Sequence, residues 1–128
     1  MVLLIVAIIG IVRSCIHMFA PDGGAWSIAG IDVNVAGGDA IIFTFALWGS
    51  EQLLMGIVEI VVCIRFRNLV PFMYIIITGE YLLRILVGHI KPIVFAWTPP
   101  GAWADYIVLP VAVVMFVLSM IRLPPKKM

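Results

Sequence analysis

Residues 49–67, GSEQLLMGIVEIVVCIRFR, decide the fold. The run is apolar enough for a helix buried in lipid, and with the residues before it the apolar stretch extends over 39–65. A helix needs about 20 mostly apolar residues to cross the hydrocarbon core of a bilayer, so this stretch is long enough to span. It nevertheless carries Glu51 and Glu59. A carboxylate at that depth is expensive unless it faces a partner, a cavity or water, which makes each of them a candidate for function.

Three further apolar runs, about 2–19, 70–90 and 103–123, have the same character. Together they predict an all-α protein with four transmembrane helices in an up-and-down bundle, a single domain over 1–128 with nothing left for a soluble one. The first run resembles a secretory signal but has no basic segment before it, so it reads as a retained helix. A Gly-rich loop over 20–38, the tight turn RFRNLVP and the connection KPIVFAWTPPGAWADY join the helices. Within the first loop, WSIAGIDVNV fits either a small hairpin or a coil lying on the membrane. Pro124 and Pro125 stop the last helix.

The composition agrees with this class: of 128 residues 64% are apolar and 12% charged, and the formal charge is +1. Such a small field excludes nucleic acid as a partner. Cys15 and Cys63 lie near opposite ends of the bundle and cannot meet in a disulfide. Neither stands in a zinc or thiol-redox spacing. The glycines of GGAWSIAG and VAGGD follow no strand and match no phosphate-binding loop.

Orientation follows from the basic residues near helix ends. Arg65, Arg67, Arg122, Lys126 and Lys127 fall on one side and only Lys91 on the other, so both termini are expected in the cytoplasm. The two longer loops then face outward, with Trp26, Trp97 and Trp103 placed as an aromatic belt. The expected location is a bacterial inner membrane.

Helical phase sorts the polar residues, because positions three, four or seven apart share a face. Gly10, Arg13 and His17 form a stripe on the first helix, and Gly49, Gln52, Gly56 and Glu59 form one on the second. Glu80, Arg84 and Gly88 line the third. Glu51 is rotated by about 100° from Gln52. The simplest assembly joins the first three helices, with Arg13 and Arg84 compensating Glu51 and Glu80, and leaves the fourth to close the bundle. Arg13, His17, Glu51, Glu80, Arg84 and His89 are therefore the candidate ligand or proton site, with Gln52 and Glu59 as a second polar site deeper in the bundle. The cluster fits two roles: a salt-bridge network fixing which faces meet, or the floor of a cavity in which an arginine holds a head group and a carboxylate exchanges a proton. Two histidines without a third ligand make no metal site. No cofactor or catalytic residue is assigned, because no nucleophile is paired with a base.

Across residues 49–88, the order of a mid-membrane glutamate and glycine, a short turn with arginines and a further apolar helix resembles the DoxX-like group of small four-helix bacterial membrane proteins. The resemblance implies an up-and-down bundle with Glu51, Gly56 and Arg65 at family-like positions. It implies no single activity, and the long Gly-rich loop departs from the pattern. Four-helix small multidrug transporters fit less well, since their essential glutamate lies in the first helix, where this chain has Arg13.

Three functions are then open, in this order. The first is a non-enzymatic accessory subunit of a membrane complex, partnered by the bilayer and by other subunits or its own copies, with a buried Glu/Arg cluster binding a lipid-like or anionic molecule. The second is a small proton-coupled transporter acting as an oligomer. The third is an intramembrane enzyme acting on a lipid or quinone-like substrate.

Overall fold

The computed structural model describes residues 1–121. Arg122, Lys126, Lys127 and the end expected for the last helix lie outside the described residues. Four long helices make up the fold: α1 (Val2–Phe19), α2 (Gly38–Arg65), α3 (Val70–Ile90) and α4 (Pro100–Met120). Each is long and apolar enough to cross a membrane. The expected spans reappear with shifted edges. α4 starts at Pro100 because proline lacks the N–H that a first helical turn leaves unpaired and already holds the helical φ.

The helices pack as two antiparallel pairs, α1 with α2 and α3 with α4, and α2 scarcely touches α3 beyond the turn that joins them. This corrects the expected triad of the first three helices. Close approach of α1 and α2 rests on two glycines one heptad apart. A Cβ at Gly49 would lie 2.7 Å from the Cβ of His17 and 3.0 Å from the Ser14 carbonyl, and one at Gly56 would meet Ile11 at 2.6 Å. Small residues let helix backbones approach where lipid offers no hydrophobic drive. The pairs meet toward the end that carries the α2–α3 turn. There Leu3, Val62, Met73, Tyr74, Ile77 and Ala112 form a small buried core contributed by all four helices.

The opposite, loop end is capped. Residues 20–37 fold into consecutive turns without a strand, which removes the hairpin option. The Asp22 carboxylate accepts the backbone N–H groups of Gly24 (3.0 Å) and Ser27 (2.7 Å). This local bonding gives the backbone an alternative to a ladder. Burial of the Asp22 carboxyl works against its charge, but those N–H donors outweigh it and hold its pKa below the ordinary 3.8. Gly24 (φ 72°) and Gly30 (φ 65°) adopt left-handed backbone in tight quarters: a Cβ would sit 2.9 Å from His17 Nδ1 at the first and 3.1 Å from the Trp97 ring at the second. The second loop joins the cap where Ala96 N–H donates to the Gly30 carbonyl (2.9 Å) and Trp97 meets Trp26 edge to face at 4.8 Å.

Candidate functional site

Beneath the cap, between the two helix pairs, lies a cleft of about 290 Å³ to which all four helices contribute. Its polar lining consists of Arg13 from α1, Gln52 and Glu59 from α2, and Glu80 and Tyr81 from α3; Ile9 and Ile107 stand among the apolar walls. Ile9 and Ile107 are also 63% and 61% exposed, and α1 and α4 hardly touch, so the cleft opens sideways between these two helices.

Arg84 is the best-held charge. Its Nη1 donates to Glu80 Oε1 at 3.1 Å, the i,i+4 pair that the third helix predicted, and its Nε lies 3.3 Å from Asp105 Oδ1. The Asp105 contact is close enough for charge attraction but is not aligned as a hydrogen bond. The Arg84 guanidinium also stands 4.9 Å from the Trp48 ring and 5.2 Å from Tyr81. Arg13 approaches Trp48 at 5.4 Å, so one indole serves two cations. A π face desolvated with its cation contributes up to about 2 kcal/mol, which helps two like charges share this space.

Arg13 differs from Arg84 in its partners. Among the described residues no carboxylate lies within 4 Å of it, and its buried Nε makes no hydrogen bond. Gln52 repeats the pattern, with both amide atoms buried and unbonded. Such groups cost roughly 1–3 kcal/mol each when left unmet, so a donor-rich and acceptor-bearing wall of this kind is suited to a bound polar group. Glu59, 5% exposed and toward the turn end of the cleft, likewise has no cation within 4 Å among the described residues.

Of the sequence candidates, Arg13, Glu80 and Arg84 come together, and Gln52 and Glu59 join them in one cleft instead of forming a separate site. Three candidates do not join. Glu51 is exposed on the opposite side of α2, because the stripe Gly49, Gln52, Gly56 and Glu59 turns toward α1 and the cleft and carries Glu51 away. The expected compensation of Glu51 by an arginine is therefore wrong, and Asp105 takes its place beside Arg84. His89 is exposed, with its Nδ1 2.8 Å from the Ile85 carbonyl of its own helix.

His17 is buried but serves the cap. Its Nδ1 donates to the Gly23 carbonyl at 2.7 Å, and its ring stacks on Trp48 at 5.2 Å and meets Phe45 edge to face. Since a carbonyl only accepts, the Nδ1 position carries the proton. Cys15 and Cys63 are free thiols, and no group of residues suited to a metal ion occurs among the described residues.

Asp105, Trp48 and Tyr81 are functional-site residues that the sequence pattern passed over. A helix start at Pro100 would have placed Asp105 in the second turn of α4, facing α3; nothing in the sequence marks Trp48 as a cation platform. No family model matches the chain, and no curated protein or solved structure matches it either.

Proposed function

We propose that this chain is a small non-enzymatic integral membrane protein that holds an amphipathic, lipid-like molecule in the cleft between α1 and α4, as an accessory subunit of a larger membrane assembly. One observation carries the reading: a cleft open sideways at bilayer depth whose inner wall presents the unbonded Arg13 Nε and Gln52 amide while its mouth is isoleucine. A polar head fits the wall and an acyl-like tail fits the mouth, the usual division of labour in ligand pockets.

Both termini are placed in the cytoplasm and the cap outside, because the basic residues Arg65 and Arg67 lie at the turn end and Lys91 lies at the loop end. The membrane is assigned as a bacterial inner membrane. The likeness of residues 49–88 to DoxX-like proteins suits this bundle and adds no reaction to it. A neighbouring chain is part of the proposal because Glu51 stands exposed in the middle of an apolar helix face, where lipid would leave its charge unmet. A second copy or another subunit supplies the missing partner.

A proton-coupled carrier is the second reading, favoured by Glu59 and Glu80 lining the same cleft at different depths. The two are separated by native mass spectrometry of the protein released from mild detergent, together with proton flux in vesicles. A one-to-one adduct of a small amphiphile, lost when Ile107→Trp fills the mouth, supports the binding role. Absence of any adduct with substrate-dependent proton flux that fails in Glu59→Gln supports the carrier.

A further inference from the structure

The polar wall of the cleft also defines the head group. Arg13 Nε is a donor, and the Gln52 amide offers one donor atom and one acceptor atom, all three buried and unbonded. A complementary head must therefore supply at least one acceptor and also a hydrogen-bond donor. A bare carboxylate or phosphate offers acceptors only and leaves the Gln52 oxygen unmet.

The charges argue the same way. Arg84 is already held by Glu80 and Asp105, so the formal charges of Arg13 and Arg84 are cancelled by those two carboxylates. Glu59, facing the same cleft with no cation within 4 Å among the described residues, adds negative and not positive potential when ionised. No positive excess remains to repay the desolvation of an anion, which is large in a low-dielectric site.

Volume limits how much of the ligand enters. A space of about 290 Å³ holds roughly ten water-sized groups, enough for a head and its first few carbons. The remainder of a long chain must leave between Ile9 and Ile107 into the surrounding lipid.

We propose that the cleft selects an uncharged amphiphile whose head pairs a carbonyl-type acceptor with a hydroxyl donor, bound head-inward against Arg13 and Gln52. The inference rests on the ligand-binding reading above and narrows it to a ligand class. The hydroxyl donates to the Gln52 carbonyl oxygen, the head's acceptor takes Arg13 Nε–H, and the chain lies between α1 and α4.

The test compares four probes with the same eighteen-carbon chain: 1-oleoylglycerol, oleate, oleyl phosphate and methyl oleate. Each is titrated against the purified protein in mild detergent and read by native mass spectrometry, with thermal melts confirming that every variant is folded. The expected result is tightest binding of 1-oleoylglycerol, about tenfold above methyl oleate, which lacks the donor, and above both anions. Gln52→Leu should weaken 1-oleoylglycerol about tenfold and leave methyl oleate nearly unchanged, the size expected when one buried hydrogen bond is lost. Equal or tighter binding of oleate or oleyl phosphate overturns the inference and leaves the binding reading standing. Failure of all four probes to bind, or binding that Ile107→Trp does not reduce, overturns both.

Discussion

Arg84 decides the interior of this bundle at the scale of single residues. It is held by two carboxylates from different helices and by two aromatic faces, so removing one partner strands a charge, whereas removing both sides of a pair does not. Asp105→Asn and Arg84→Leu should each lower the melting temperature in detergent, and the double variant should recover part of the loss, a coupling of roughly 0.5–3 kcal/mol. Strict additivity would show that the α3–α4 ion pair does not stabilise the fold. Half of this site was legible in the sequence. The i,i+4 spacing of Glu80 and Arg84 announces their pair, and the cost of charge in lipid singles out Arg13. Asp105 was not legible, because it stands among prolines and tryptophans that read as loop. Glu51 was misplaced because depth in the membrane says nothing about azimuth, and its 100° offset from Gln52 sends it to the other side of α2.

Contact between α1 and α2 depends on two glycines and one folded loop. Gly49 is the tighter of the glycines in consequence, since its neighbours include the rigid Ser14 carbonyl at 3.0 Å, whereas the 2.6 Å contact at Gly56 is to an Ile11 side-chain carbon that can turn. Gly49→Ala should therefore destabilise more than Gly56→Ala, by about 1–3 kcal/mol as overpacking does, measured by thermal unfolding. Equal effects would mean that the helices separate freely. The cap has its own signature. Asp22 has a folded pKa below its unfolded value, so its contribution is fully present above pH 3.8 and is lost as pH falls through the lower folded value. The near-ultraviolet circular dichroism of the Trp26–Trp97 pair should weaken over that acidic range, and in Asp22→Asn it should lose this pH dependence. The helices themselves were legible from apolar run length. Their pairing was not, because stripes show which faces are polar without showing which two faces meet, and the choice fell to the small-residue seam of Gly49 and Gly56.

For the whole molecule, the balance between buried and exposed apolar surface sets the expectations. Only 22% of the best-covered spans and 6% of the α4 span are buried, so most of the apolar surface is left for lipid or for other chains. If a neighbouring chain covers Glu51, Glu51→Leu should keep the melting temperature of the isolated chain within about 0.5 kcal/mol equivalent, as a surface change does, and should reduce the oligomer or complex seen in cross-linking from native membranes. Unchanged assembly would leave Glu51 without the assigned partner. The central claim is that the α1–α4 cleft holds an amphiphile, and it is tested most directly by a photo-reactive amino acid at Ile107. The control is the same group at Leu83, which is 62% exposed against 61% for Ile107 but does not line the cleft. The account predicts that light joins Ile107 to one small uncharged amphiphile at high yield while Leu83 takes up only bulk lipid. The same mixture of bulk lipids at both positions would contradict it.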